Sequence, residues 1–131
     1  MDSRRRTGQM GEELAARQLR SWGYRVLEHG WRCRLGEIDL IALDGPIVVI
    51  VEVKTRRGVG YGQPGEAVGP SKQRRLARLA TAYLAARGWL ERPCRFDVVE
   101  VLWPPDSAPV VDHTLDAFRP EGGRSQRRGR C

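Results

Sequence analysis

Three side chains near the middle of the sequence have the types and spacing for chemistry. Asp39 lies in the apolar run Gly36–Ala42 (GEIDLIA), and Glu52 and Lys54 end a second run, Val48–Lys54 (VVIVEVK). Both runs read as strands, Gly36–Leu43 and Pro46–Lys54, joined by the common hairpin pair Asp44-Gly45. If that pair is a two-residue loop, Leu43 faces Pro46, Asp39 faces Ile50 and Glu37 faces Glu52. Alternation then puts Glu37, Asp39, Ile50, Glu52 and Lys54 on one face, whereas an odd-length loop would reverse the parity. Asp39 and Glu52 become diagonal neighbours, about 7–8 Å apart at the backbone, and their side chains can close around one cation. Carboxylates crowded at the end of a buried strand repel each other unless a cation lies between them. Hard oxygen donors of this kind suit Mg²⁺ or Mn²⁺.

Lys54 follows Glu52 by two residues. A lysine there can hold an attacking water or oppose charge that develops on a phosphoryl group. From E-x-K alone, an exposed ion pair at a strand end is the simpler account. Asp39 on the partner strand and Glu12 on a helix tip the balance toward a site. Of 23 basic residues only Lys54 and Lys72 are lysine. The two positions thus stand out in a chain that otherwise uses arginine, whose planar fork does not replace a compact ammonium.

The elements that must position these residues are legible from periodicity. Thr7–Gly23 is helical, with Met10, Leu14, Ala15, Leu19 and Trp22 on one side, Thr7 as N-cap and Gly23 as stop. On that helix Glu13 points outward, while Glu12 lies at the edge of the apolar face and can look into the fold. Tyr24–Arg32 alternates weakly, as an edge strand does. The second core strand, PIVVIVEVK, is apolar on both faces until its end, which suits a central strand. Residues 55–70 hold five Gly and two Pro and read as a loop. Ser71 would then cap a helix to about Arg87, with Leu76, Leu79, Ala80, Tyr83 and Leu84 inward and Gly88 as its end. Arg95–Trp103 is a further strand, closed by Pro104-Pro105, and residues 110–118 form a short strand or turn. The order α-β-β-β-α-β predicts an α/β domain with a mixed central sheet flanked by helices. Its expected extent is 8–119, between basic flexible arms at 1–7 and 120–131.

These motifs carry a family resemblance. GEIDLIA followed by VVIVEVKTR resembles the D…(D/E)xK core of the PD-(D/E)xK nuclease superfamily. More closely, the chain resembles the YraN family of small bacterial proteins, related to archaeal Holliday-junction resolvases. The likeness spans about residues 8–118. It includes GQMGEELAA (Gly8–Ala16), the Gly-rich loop motif at Tyr61–Pro64 and SKQRR (Ser71–Arg75). It implies a restriction-endonuclease-like or resolvase-like fold. It also implies that Asp39 and Glu52 ligate the metal with the Val53 carbonyl, that Lys54 serves the attacking water, and that Glu12 matches the helix-1 acid of the resolvases. Ile38 stands where the superfamily name has proline, a departure the resolvases share. The resemblance implies a homodimer too, which two-fold cleavage of a junction needs.

Composition bounds the partners. The 131-residue chain carries a net charge of +7, of which residues 1–7 and 120–131 hold +5, so the central region is nearly balanced. A cationic chain invites a polyanion, yet tails more often solvate than read a target. Expected nucleic-acid contacts are Lys72, near the sheet end beside Glu52, with Arg56, Arg57, Tyr61, Gln63 and Arg75. For the arginines of the second helix a solvated face is an equal account, and for Tyr61 a plain linker. Gly60–Gly65 matches GxGxxG by accident, since Pro64 lies inside it and no helix opens there. Walker A is absent, so no nucleotide cofactor is expected. Three cysteines without CxxC spacing argue against a disulfide framework or a zinc site, with Cys131 a free thiol. His29 and His113 lack metal-ligand spacing and read as structural. No apolar run spans a bilayer and the N-terminus lacks a signal peptide's apolar stretch, which predicts a cytoplasmic protein without membrane contact.

Together these features predict a Mg²⁺- or Mn²⁺-dependent endonuclease acting on DNA, branched or recombination intermediates in particular. Asp39, Glu52 and Glu12 are expected to converge on one cation. The alternative is a non-catalytic nucleic-acid-binding protein that retains the fold. A protein–protein adaptor would leave the four-residue constellation unexplained.

Overall fold

The sequence alternates short apolar strands with two amphipathic helices, and the chain resolves that pattern by burying the strands between the helices. The computed structural model describes residues 3–57 and 68–120. Element order is α1 (Ser3–Ser21), β1 (Arg25–Cys33), β2 (Gly36–Asp44), β3 (Ile47–Arg57), α2 (Pro70–Arg87), β4 (Cys94–Trp103) and β5 (Val110–Thr114). The strands form one sheet in the order β1-β2-β3-β4-β5. Among the described strands only β3 and β4 pair parallel, through α2. The remaining pairs are antiparallel. The fold is therefore the mixed α/β sheet expected, of resolvase-like type, with β1 at an edge, β3 central, and 110–118 contributing the fifth strand.

Each helix covers one face. Ala15, Ala16 and Leu19 of α1 pack on Leu40, Ala42, Val49, Val51 and Val99. Leu76, Leu79, Ala80, Tyr83 and Leu84 of α2 pack on Ile41, Val48, Ile50, Phe96 and Val98. All five residues expected on the inner face of α2 are buried. On α1 the expected face is only partly right, since Met10 and Trp22 remain 46% exposed.

Several boundaries differ from expectation, four of them for a clear physical reason. Helix α1 starts at Ser3 rather than at Thr7, because the arginines that looked like a flexible arm are good helix formers with no breaker among them. Helix α2 is capped by Gly69 with Pro70 in its first turn, which takes the start from Ser71. Strand β3 runs on through Thr55, Arg56 and Arg57, because β4 supplies parallel partners as far as Trp103. Finally, the hairpin turn is Gly45-Pro46, with Asp44 opposite Ile47. Pro46 has no N–H to give a ladder, and Gly45 adopts the positive φ of 59° that such a turn needs. This shifts the β2–β3 register by two residues, so the pairs expected for Leu43, Asp39 and Glu37 do not form. A shift of two would by itself preserve which side chains share a face. Alternation breaks between Ile38 and Leu40, however, so Glu37 does not stay on the face of Glu52 as expected.

The end of the sheet away from Lys54 is fastened by a buried polar cluster. Fully buried Asp97 accepts from Arg95 Nε (2.8 Å), His113 Nε2 (2.7 Å) and the Asp116 amide (2.9 Å). Burial alone would raise the Asp97 pKa, but these hydrogen bonds outweigh it and hold the carboxyl below its usual range. Arg95 also reaches Asp44 (3.0 Å) and the Tyr24 hydroxyl (2.7 Å), and Trp22 stacks on His113 at 4.8 Å. His113 is thus structural, as its isolation predicted. Cys33 is a free thiol. Cys131 lies outside the described residues. No helix among the described residues is long and apolar enough to cross a membrane.

Candidate functional site

The site forms where β2 and β3 stop pairing. Their ladder runs from Asp44–Ile47 to Leu40–Val51. One step beyond, Asp39 replaces main-chain pairing with its side chain, as Oδ2 accepts the Val53 amide at 2.8 Å. The bond satisfies a donor that the end of the ladder would otherwise leave open. Strand alternation also breaks here, since Ile38 packs on the α2 side and Leu40 on the α1 side.

Glu52 is buried, 7% exposed, one position before the amide that Asp39 binds. Burial and the Glu52 charge push the Asp39 pKa up to about 7, with a further rise from Glu12 and opposition from the Val53 hydrogen bond and Lys72. Glu12 is raised in turn, by burial first and then by Glu37 and Glu52. The helical phase that turned Glu12 inward therefore delivers it to these acids. Its placement depends on Gly11, whose missing Cβ leaves room for Thr55 of β3. A side chain there would overlap the threonine, so glycine is what lets α1 press against the strand.

The acids gather, but not into a closed cage. Among the described residues no three His, Cys, Asp or Glu side chains are close enough together to hold a metal ion. The expected convergence of Asp39, Glu52 and Glu12 is thus a shared electrostatic field, and an ammonium already stands in it. Lys72, from the first turn of α2, forms an ion pair with Glu52. It was expected near Glu52 as a phosphate contact, and its partner here is the acid itself.

The other expected residues divide. Lys54 is half-buried, two residues past Glu52, and has no ion-pair partner among the described residues. Arg56 is engaged with Glu100 at 3.2 Å. Arg57 binds the Thr7 hydroxyl at 3.3 Å and lies 5.4 Å from the Trp103 ring. Arg75 is exposed on α2. Tyr61 and Gln63 lie outside the described residues. Val53 enters through its N–H, whereas the expectation concerned its carbonyl.

Glu100 went unnoticed in the sequence. It is 1% exposed and in register with Lys54 on the neighbouring strand. The signal was present: in Arg95–Trp103, Phe96, Val98 and Glu100 share the core face, and an acid there breaks an apolar pattern.

Comparison with known proteins accords with the motifs. A family model described as "Uncharacterised protein family UPF0102" matches residues 11–101. A UPF0102 protein of Symbiobacterium thermophilum is 61% identical over 102 residues, covering 78% of this chain and 86% of its own length. One from Nocardia farcinica is 50% identical over 111 residues, covering 85% and 87%. Another, from Geobacter sulfurreducens, is 45% identical over 111 residues, again 85% and 87%. The matched span runs from the glycine that seats α1 to the end of the β4 core, and the chain belongs to the UPF0102 family, the YraN family that its motifs resemble.

Proposed function

We propose that this protein is a divalent-metal-dependent endonuclease acting on DNA, with branched or otherwise structured DNA as the substrate class. The observation that carries this is the burial of Asp39 beside Glu52, with its side chain on the Val53 amide at 2.8 Å; burial first and the Glu52 charge second lift Asp39 to about 7. Buried acids that repel one another destabilise a fold, and a cation between them removes the cost. The donors are carboxylate oxygens, which fit Mg²⁺ or Mn²⁺. Asp39 and Glu52 would hold the ion with the Val53 carbonyl, and Glu52 must leave Lys72 to do so.

When bound, such an ion supplies Lewis acidity and lowers the pKa of water. The chain's own residues do the rest. Lys54 holds the attacking water in line with the scissile phosphodiester and opposes the charge that builds on its oxygens. Lys72, released from Glu52, is free to pair with a backbone phosphate. Glu12 adds a third carboxylate from the α1 side.

A second reading has its own observation. The Lys72–Glu52 ion pair already neutralises one acid, as it would in a non-catalytic nucleic-acid-binding protein with this fold. The two are separated by incubating the protein with branched, single-stranded and duplex substrates in Mg²⁺ or Mn²⁺. Lys54→Ala should lower the cleavage rate on the order of 10²-fold or more. DNA affinity should stay within a few fold, since one phosphate contact among several is lost. Lys54→Arg should rescue poorly, because a planar fork does not occupy an ammonium's place. A wild type that cuts nothing with either metal supports the binding protein instead.

A further inference from the structure

Beyond the acids, the same margin of the sheet carries a cleft of about 520 Å³ at the ends of β3 and β4. Arg57, Trp103, Pro104, Pro105, Asp106 and Ser107 line it. We propose that this cleft seats an unpaired nucleobase of a strand whose backbone passes the Asp39–Glu52 site, an assignment that rests on the nucleic-acid reading of that site.

Position is the first argument. Arg57 and Trp103 are a register pair three steps beyond Lys54 and Glu100. Alternation turns them to the α1 face while Glu52 and Lys54 face α2, so a strand meets both places by passing over the end of the sheet. Three strand residues span about 10 Å, a distance that a neighbouring nucleotide covers. Helix α1 joins the two places, because Thr7 binds Arg57 while Glu12, five residues on, senses Glu37 and Glu52. That separation along the helix is about 7–8 Å.

Chemistry is the second. The volume is that of a ligand site. Trp103 is half-exposed, and with the rings of Pro104 and Pro105 it offers flat apolar surface for an aromatic heterocycle. The prolines fix their own φ, so the surface is preformed. Arg57 sets its guanidinium over one face of the indole, so a base stacks on the other and its phosphate can meet the arginine. Asp106 is exposed at the rim. Its carboxylate repels a phosphate deep in the cleft but accepts from the exocyclic amine of adenine, cytosine or guanine. A base within a duplex is covered by its neighbours and must be unstacked to enter, so the occupant is an unpaired base, as at a junction or a single-stranded flank.

The test is fluorescence anisotropy with the full chain in EDTA, so that nothing is cut. Probes are a mixed-sequence single strand, a matched oligomer of abasic sugar-phosphate units, and a duplex. Trp103→Ala should weaken single-strand binding roughly 5- to 100-fold and leave duplex and abasic binding within twofold. Trp103→Phe, which keeps a ring, should retain most of the single-strand affinity. Melting curves check that the half-exposed position leaves the fold intact. Equal single-strand binding by wild type and Trp103→Ala overturns the proposal. Abasic binding as tight as that of the base-bearing strand also overturns it, and would mean that the cleft takes the sugar-phosphate chain. The outcome is independent of cleavage. A wild type that cuts nothing yet loses single-strand affinity in Trp103→Ala sinks the enzyme and supports the seat.

Discussion

Asp39 does two jobs whose requirements conflict. Its carboxylate closes the β2–β3 ladder by accepting the Val53 amide, and it sits in the field of Glu52 and Glu12. Its pKa is raised from 3.8 to about 7, so the folded state prefers the protonated acid. A raised folded pKa gives stability that is complete below pH 3.8 and lost as pH rises through about 7. Asn has the same shape, stays neutral, and can still accept from the Val53 N–H. Asp39→Asn in metal-free protein should therefore gain stability relative to wild type between pH 5 and pH 8. The gain should be about 1–3 kcal/mol at the upper end, because Glu52 and Glu12 share the strain. Urea melts across that range measure it. A variant equally destabilised at both pH values would show that the hydrogen bond, and not the charge, dominates at Asp39.

At the scale of elements, the site depends on how closely α1 lies on β3. Gly11 faces Thr55 so tightly that a Cβ would overlap the threonine Oγ1 and crowd its Cβ and Cγ2. Two effects compete in Gly11→Ala. Alanine gains about 0.5–1 kcal/mol of helix propensity, and overpacking costs about 1–3 kcal/mol. The overlap is with a β-branched residue on a central strand, which has little room to retreat, so the clash should win by about 1 kcal/mol. Adding Thr55→Ala should recover most of the loss, and a double-mutant cycle reads the coupling. Full stability in Gly11→Ala alone would mean that α1 lifts off at no cost. Because Glu12 follows Gly11, the same lift would carry that acid away from Glu52.

For the whole molecule, the +7 charge is unevenly held. Residues 121–131 carry four arginines against one glutamate, next to a nearly balanced central region. If these arginines meet phosphates, replacing Arg124, Arg127, Arg128 and Arg130 with Gln should flatten the salt dependence of duplex DNA binding. The slope of log K against log salt should fall by about 3–4, near one unit per lost contact. Thermal stability should not change. An unaltered slope would assign the phosphate contacts to other residues, such as Arg75 and Arg57, which are exposed.

Much of this molecule follows from local sequence. Period-2 apolar runs fixed β2, β3 and β4, and 3.6-residue spacing fixed the inner face of α2, because burial rewards those periods wherever the chain folds. The phase of α1 turned Glu12 inward for the same reason, and motif spacing singled out Asp39, Glu52 and Lys54 as candidates. Tertiary structure decided what depends on partners distant in sequence. The hairpin slipped by two residues because Pro46 lacks an N–H, and Asp39 meets β3 through the Val53 amide at a break in strand alternation that no local pattern showed. Strand β3 ran past Lys54 because β4 offered it partners. Lys72 lies 20 residues from Glu52 along the chain, and helical phase put it within reach. That it pairs with the acid in this structure follows from where α2 docked on the sheet. Glu100 is an acid on a core face, which its strand pattern showed, but pairing in register with Lys54 required a parallel neighbour 46 residues away. Local periodicity tells each side chain which way to face, and only the packed sheet tells it whom it will meet.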